Sequence, residues 1–328
     1  MEQFSHELSD GRTLCGKVSL PPKLSPQINA PHTPLIVGVH GGTYSAEYFD
    51  ACPSTSVTNI SNPLSIPVVS ISRPGYAGST ALPLLPAPSS GKTFIQQQGQ
   101  HLHNVILPFL WSKYGEASGA NSIVLFSHSI GSAISIVASS LHATDLKSGA
   151  SKYPLSGLIT SGIGSLVVTI SDSDYDHDVP ETDEKHLWPT EDHDARMLSK
   201  PMPLCPPEVY TEGEKLNNPM NPAERRDIQR SWWTYWEGYA GTIEVPHLYG
   251  MAEFDGLWEA TQETVDRYMS AFKKCARAES SLVLGAPHCM ELSYAGRGWM
   301  TKGLGFAVEC AVWWALKDVK VPRSVVAQ

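Results

Sequence analysis

The feature that most constrains this chain is a run of strand-forming residues that stops at a tight turn and continues as a helix. The run covers residues 122–126, and the turn reads Ser127-His-Ser129-Ile-Gly131. Such a turn holds its central Ser in strained backbone and exposes the hydroxyl above a sheet edge. The flanking residues must be small, because strand and helix cross there, and Ser127 stands where glycine is more usual. Ser129 is therefore a candidate nucleophile, with a simple helix N-cap as the alternative role.

A second apolar run ends in a glycine-rich turn. Residues 35–39 are apolar, and the sequence His-Gly-Gly-Thr-Tyr follows at 40–44. Glycine at a strand end lets backbone N–H groups face a ligand, which suits the stabilisation of a negatively charged oxygen. One donor of such an oxyanion hole is predicted to be the N–H of Ile130, directly after the candidate nucleophile. The second is predicted to be Gly42, with Thr43 as a close rival.

Two later strands end in residues that can serve as an acid and a base. A strand near 244–249 leads into a turn carrying Glu253 and Asp255, and a strand near 281–285 is followed by His288. A serine hydroxyl is a weak nucleophile unless a base accepts its proton, which an imidazole can do. A carboxylate can then hold the imidazole in the right tautomer. The order along the chain is serine, acid, histidine.

Together with the Arg-Pro-Gly-Tyr loop in residues 66–79, these segments resemble the α/β-hydrolase superfamily over most of the chain, from about Thr13 to about Asp318. The resemblance implies an α/β-hydrolase fold, with a mostly parallel central sheet flanked by helices. It also implies a serine hydrolase whose catalytic triad is Ser129, Asp255 and His288.

The acid of this triad has two candidates. The family pattern often reads Gly-x-x-Asp, and counting from Gly250 selects Glu253. Aligning residues 252–258 with the pattern Gly-Glu-x-Asp-x-Leu-Trp selects Asp255 instead, because the shared Leu-Trp anchors the register. We therefore expect Asp255 to be the triad acid and Glu253 to be an ordinary loop residue.

Alternating strands and helices predict the architecture. An Asp-Gly turn at residues 10–11 predicts an opening β-hairpin. Further strands are predicted near 35–39, 67–72, 122–127, 155–160, 244–249 and 281–285, and helices near 93–114, 131–143, 258–274 and 302–316. This alternation favours a parallel sheet with helices on both faces. The core is expected to comprise residues 1–163 and 243–328, with residues 164–242 inserted as a cap.

The cap segment, residues 164–242, ends in a cluster of large aromatic residues. Trp232, Trp233 and Trp236 lie at near-helical spacing within it. They either hold the cap onto the core or form a roof over the nucleophile that selects a bulky hydrophobic or aromatic substrate. With Tyr44 and His128, they are the predicted substrate-pocket residues.

The net charge of −9 lies in one segment. Between Asp172 and Asp194 there are ten acidic residues and one basic residue, Lys185, so the rest of the chain is neutral overall. Such a segment is most often a solvated loop. The first acids alternate as in a calcium-binding loop, but His177 stands where that loop needs glycine. We predict no metal site and, because basic residues do not cluster, no binding of nucleic acid.

Composition indicates a soluble cytoplasmic protein. The 328 residues, 41% of them hydrophobic, suffice for a large core. The six cysteines show no paired spacing, which favours reduced thiols. The N-terminus lacks the pattern of a secretory signal, and no apolar run approaches the ~18 residues of a membrane span. We therefore expect no membrane association.

These observations predict a function. We expect hydrolysis of a carboxylic ester or lactone of a hydrophobic small molecule through an acyl-enzyme, with no cofactor. The same triad supports acyl transfer or carbon–carbon bond hydrolysis, and a non-catalytic small-molecule-binding protein is the alternative from a different class. A homodimer is left open. Residues 40–44 and 286–291 look most like fungal hydrolases associated with secondary-metabolite pathways.

Overall fold

Eight strands form one sheet in the computed structural model, which describes residues 1–21, 32–83, 92–165 and 184–319. The strands are β1 (Glu2–Glu7), β2 (Thr13–Ser19), β3 (Pro34–Val39), β4 (Val68–Ile71), β5 (Ser122–His128), β6 (Leu155–Ser161), β7 (His247–Phe254) and β8 (Ala278–Pro287). Their spatial order is β1-β2-β4-β3-β5-β6-β7-β8. β1 and β2 form the predicted hairpin, β2 pairs antiparallel with β4, and every other pairing is parallel.

Helices connect the parallel strands. Those of the described residues are α1 (Thr58–Ser61), α2 (Phe94–His101), α3 (Leu107–Leu110), α4 (Glu116–Ser118), α5 (Ile130–Ser148), α6 (Thr190–Met197), α7 (Pro207–Thr211), α8 (Gly213–Leu216), α9 (Pro222–Arg226), α10 (Trp232–Ala240), α11 (Gln262–Met269) and α12 (Gly296–Leu316). Wider π-helical turns at Leu102–Ile106 and Trp111–Gly115 join α2, α3 and α4 into one helical stretch, and another at Asp227–Ser231 joins α9 to α10. Two 3₁₀ turns lie at Ala46–Asp50 and Met290–Leu292.

The central strands divide the core into two halves. Successive side chains of a strand point to opposite faces of the sheet. In β5, Ile123 and Leu125 join one hydrophobic cluster, which includes residues of α2 and α5. Val124 and Phe126 join the other, which includes residues of α12. Every residue of β3, β5 and β6 is buried, as expected for parallel strands covered on both faces, and the predicted fold class is confirmed.

One predicted helix is shorter than its sequence pattern indicates. The segment 258–274 forms a helix only over α11, because the N–H groups of Leu257 and Trp258 bond to the carboxylate of Asp255 and remain in a turn. The side chain of Thr261 then caps the helix by accepting a hydrogen bond from the N–H of Thr264.

The chain between β6 and β7 carries α6 to α10, at the carboxyl end of the parallel strands. The assignment of residues 164–242 as a cap stays a prediction. Most of the acidic segment, including its calcium-like spacing, lies outside the described residues. In the described ranges, every helix is too short or too polar to traverse a lipid bilayer.

Candidate active site

Ser129 occupies the turn between β5 and α5 in strained backbone geometry. Its φ of 53° and ψ of −124° lie in a region that residues with side chains rarely adopt. The N–H of Ser129 donates to the carbonyl of Ser161, 2.7 Å away, which ties the turn to the neighbouring strand. A Cβ atom at Gly131 would lie 2.3 Å from the carbonyl oxygen of Val39. Only glycine therefore allows the helix to leave the strand this closely.

We expect Gly131→Ala to lower the free energy of unfolding by about 1–3 kcal/mol, because the added methyl group meets backbone atoms that cannot rotate away. Thermal and denaturant unfolding measure this loss. Gly298→Ala is the matched control, since Gly298 also lies in a helix but has no heavy atom within 4 Å of its added Cβ. It should leave stability unchanged or raise it by up to ~1 kcal/mol. Equal losses in the two variants contradict the close crossing.

The structure brings Ser129, His288 and Asp255 together. The Nε2 atom of His288 lies 3.1 Å from the Oγ atom of Ser129, and its Nδ1 atom lies 2.8 Å from Oδ2 of Asp255. The side chains of His288 and Asp255 are 1% and 0% exposed, so little water competes for the bond between them. A carboxylate on Nδ1 leaves Nε2 free to accept the serine proton.

Asp255, rather than Glu253, contacts His288. The second oxygen of Asp255 accepts the N–H groups of Leu257 and Trp258 at 2.8 and 3.0 Å, which fixes the orientation of the carboxylate. Glu253 lies within β7 and not in a loop as predicted; it is exposed and accepts the N–H of Gly285 at 2.8 Å. The alignment on Leu-Trp thus selected the acid that the fold delivers to His288.

The turn after β3 lies against the nucleophile. A Cβ atom at Gly41 would lie 2.9 Å from Cβ of Ser129, and one at Gly42 would lie 3.0 Å from the side chain of Ile130. Thr43 has a φ of 64°, and its hydroxyl donates to the carbonyl of Gly42. Within the described ranges, no backbone carbonyl accepts the N–H of Gly42, Thr43 or Ile130. Gly42 and Thr43 therefore both stay candidates for the second oxyanion donor, beside Ile130.

An apolar cavity of about 70 Å³ opens beside Ser129. Most of its walls are apolar side chains from the core and from the chain between β6 and β7, and Arg225 and Gln229 are its polar side chains besides Ser129 and Thr43. The full lining is Gly42, Thr43, Ser129, Ile130, Ile163, Trp188, Met197, Met220, Arg225, Ile228, Gln229, Leu257 and Trp258. The cavity therefore suits an apolar group attached to the reacting carbonyl.

None of the five predicted pocket residues is among these lining residues. Trp232 and Trp236 are buried, and Trp236 stacks on Tyr268 of α11 with ring centroids 4.8 Å apart. Trp233 packs edge-on against Trp258, which does line the cavity. These tryptophans attach α10 to the core, the alternative that the sequence left open. The aromatic rings that line the cavity are Trp188 and Trp258, and no spacing pattern in the sequence distinguishes them.

Tyr44 and His128, the other two predicted pocket residues, lie behind the triad. The ring of His128 stacks on Tyr48 and lies 4.8 Å from the ring of His288. Its Nδ1 atom is 3.4 Å from the carboxylate of Glu291. Burial lowers the pKa of His128 well below its usual value, and the neighbouring His288 adds to this shift. Burial and His288 therefore both disfavour a charged ring at His128.

Tyr44 is buried, and its side chain contacts Cys289. Its hydroxyl accepts a hydrogen bond from Cys289 at 3.3 Å.

In the described part of the chain, the one group of possible metal ligands is His128, His288 and Cys289, whose atoms lie within 4.8 Å of one another. Burial raises the pKa of the Cys289 thiol well above its usual value, which disfavours the thiolate that binds metals. A metal here would also compete with Ser129 and Asp255 for His288.

Comparisons with known proteins identify the fold. No protein-family model matches the sequence, and no curated protein matches it. A protein described as an aryl esterase from Burkholderia cenocepacia superposes with a TM-score of 0.59 at 14% identity, over 95% of this chain and 99% of that one. A variant of the N-acyl homoserine lactonase AidH, complexed with N-hexanoyl homoserine lactone, gives 0.58 at 12% identity, over 94% and 98%. E-2-(acetamidomethylene)succinate hydrolase gives 0.57 at 13% identity, over 94% and 100%. The chain has the α/β-hydrolase fold.

Proposed function

We propose that this protein is a serine hydrolase that cleaves a carboxylic ester or lactone of a hydrophobic small molecule. The observation that carries the proposal is the 3.1 Å contact between Oγ of Ser129 and Nε2 of His288, with Asp255 bonded to the opposite nitrogen. A binding protein has no need of a strained serine, an imidazole and a buried carboxylate in line.

The proposed reaction forms and then hydrolyses an acyl-enzyme. Ser129 attacks the substrate carbonyl while His288 accepts its proton, and Asp255 stabilises the imidazolium. The oxyanion accepts hydrogen bonds from the N–H of Ile130 and from that of Gly42 or Thr43. His288 then protonates the leaving alkoxide. A water molecule, deprotonated by His288, then attacks the acyl carbonyl. The bond to Oγ of Ser129 breaks as His288 returns the proton to Oγ, which releases the acid and restores Ser129.

The substrate class follows from the cavity and from the fold neighbours. The walls beside Ser129 are mostly apolar, and residues 164–242 supply several of them, so we assign this segment the role of a cap. The similar structures include one described as an aryl esterase and a lactonase bound to an acyl homoserine lactone. The likeness to fungal secondary-metabolite hydrolases stays a prediction from sequence.

Labelling and turnover test the proposal. We expect a fluorophosphonate probe to add covalently to the protein, and mass spectrometry to locate the adduct on Ser129. We also expect hydrolysis of p-nitrophenyl esters and of an acyl homoserine lactone, with rates that depend on acyl length because the cavity is small. Product formed only when an alcohol or amine is added indicates acyl transfer. Absence of both labelling and turnover contradicts the proposal and favours a binding protein.

A further inference from the structure

A buried ion pair joins the cap segment to the turn that carries the proposed oxyanion donor. Arg73, in the loop after β4, and Glu224, in α9, each have side chains that are 1% exposed. The guanidinium of Arg73 donates to both carboxylate oxygens of Glu224, at 2.7 and 3.0 Å. Glu224 also accepts hydrogen bonds from Tyr76 and Gln98, at 2.8 Å each. Its charge is therefore matched by a cation and by further donors, as burial of a carboxylate requires.

Arg73 also holds the backbone of the turn after β3, besides donating from Nη1 to the side-chain oxygen of Gln98 at 2.9 Å. Its Nε atom donates to the carbonyl of His40 at 2.9 Å, and its Nη2 atom donates to the carbonyl of Gly41 at 3.0 Å. The N–H of Arg73 donates to Nε2 of His40, so the Nδ1 atom of that ring carries the proton that bonds to the carbonyl of Gly41. Burial lowers the pKa of His40 well below its usual value, which keeps this tautomer neutral.

These bonds set the direction of one particular N–H group. The carbonyl of Gly41 and the N–H of Gly42 belong to the same planar peptide unit, in which they point in opposite directions. Arg73 and His40 hold the carbonyl on one side of the turn, so the N–H of Gly42 faces the other side. That N–H is a proposed oxyanion donor. Small errors in the placement of such a donor are costly, because its effect depends on geometry.

We propose that Glu224 is a positioning residue for catalysis, which acts through Arg73 to aim the N–H of Gly42 at the substrate oxygen. The cap segment thereby helps to form the oxyanion hole as well as the walls of the cavity. This inference rests on the proposed function, and it explains why a charged residue of the cap is buried beneath the turn. The next residue, Arg225, lines the cavity. The ion pair between Arg73 and Glu224 therefore positions part of the cavity wall as well as the turn that carries the N–H of Gly42.

The test compares Glu224→Gln with Asp227→Asn. Asp227 lies three residues further along the same segment and is also buried, but its carboxylate bonds to the N–H of Ile95 and the hydroxyl of Tyr235, away from the donor turn. We expect Glu224→Gln to lower kcat and the fluorophosphonate labelling rate by about 10- to 100-fold, with KM changed less than about 3-fold. Asp227→Asn should change kcat less than about 3-fold.

Hydrogen-exchange rates of the backbone amides report how firmly the turn is held, and they can be measured in an inactive protein. We expect amides of residues 40–44 to exchange faster in Glu224→Gln than in the parent protein and in Asp227→Asn. An inactive parent protein refutes the proposed function, whereas this exchange difference still decides whether Glu224 holds the turn. Unchanged exchange in Glu224→Gln overturns the inference, and so does an equal loss of kcat in the two variants.

A double variant shows whether the pair of Arg73 and Glu224 positions the turn or only stabilises the fold. Replacing one partner leaves the other charged and buried, which is destabilising, while replacing both with apolar residues of similar volume often restores stability. We expect Arg73→Met/Glu224→Met to melt at a higher temperature than Arg73→Met alone, yet to keep a kcat at least about 10-fold below the parent value. The carbonyl of His40 loses its donor and that of Gly41 keeps only the bond from His40, so the turn is held less firmly. Recovery of kcat together with stability assigns the pair a purely structural role.

Discussion

Replacement of Ser129 by alanine is expected to lower kcat for ester hydrolysis by roughly 10⁴- to 10⁶-fold and to abolish fluorophosphonate labelling. The substitution removes the atom that forms the acyl-enzyme, while the hydrogen-bond donors and the apolar cavity remain. The residual rate should therefore exceed that of the uncatalysed reaction. KM or a measured substrate Kd should change little, because Ser129 supplies the reacting group rather than the apolar walls.

The matched control for this substitution is Ser135→Ala. Ser135 is also a buried serine of α5, and its hydroxyl has no hydrogen-bond partner among the described residues. Its removal should leave kcat and labelling within about 2-fold of the parent values. Circular dichroism and thermal melting of both variants check that the fold is retained. If Ser129→Ala is labelled at the parent rate, another residue is the nucleophile.

The sequence could predict the central fold because local and long-range signals coincide there. The run at 122–126 is apolar throughout, which is typical of a strand buried on both faces, and Ser127 and Gly131 leave room for a helix to turn back over it. Each candidate catalytic residue directly follows a parallel strand, Ser129 after β5, Asp255 after β7 and His288 after β8. Carboxyl ends of neighbouring parallel strands meet at one sheet edge, so the order of motifs also predicted that the three side chains approach one another.

The walls of the cavity could not be predicted in the same way. Trp188, Met197 and Met220 come from separate parts of the chain between β6 and β7, and their approach to Ser129 depends on how short helices pack. The near-helical spacing of Trp232 and Trp236 correctly indicates one apolar helix face. Spacing says nothing about what that face covers, and here it covers the core rather than the cavity.

Glu224 shows a further limit of sequence reasoning. In isolation, an acid that follows Asn-Pro-Ala suggests the exposed first turn of a helix, where a negative charge is common. Its burial depends on Arg73, about 150 positions earlier, whose loop was recognised only as a family landmark. A buried ion pair between distant segments leaves no periodic signal, because each partner alone resembles a surface residue.

The second large effect is expected for Asp255→Asn, which should lower kcat by about 10⁴-fold if Asp255 is the triad acid. The Oδ1 atom of Asp255 accepts two backbone N–H groups, so an asparagine there keeps its carbonyl oxygen in that position and presents its NH₂ group to Nδ1 of His288. The imidazole must then accept on Nδ1 and carry its proton on Nε2, which faces Ser129. In that tautomer it cannot take the serine proton.

Glu253→Gln is the comparison that makes this result specific to one carboxylate. Glu253 is exposed and bonds only to the N–H of Gly285 in the described part of the chain, a contact that a glutamine oxygen can also make. We expect kcat to stay within about 3-fold of the parent value, as for most surface substitutions. Steady-state kinetics of both variants, with melting temperatures to confirm folding, measure the difference. The reverse pattern of losses assigns the acid role to Glu253. It then requires the end of β7 to rearrange, because Asp255 and not Glu253 bonds to His288 in the present geometry.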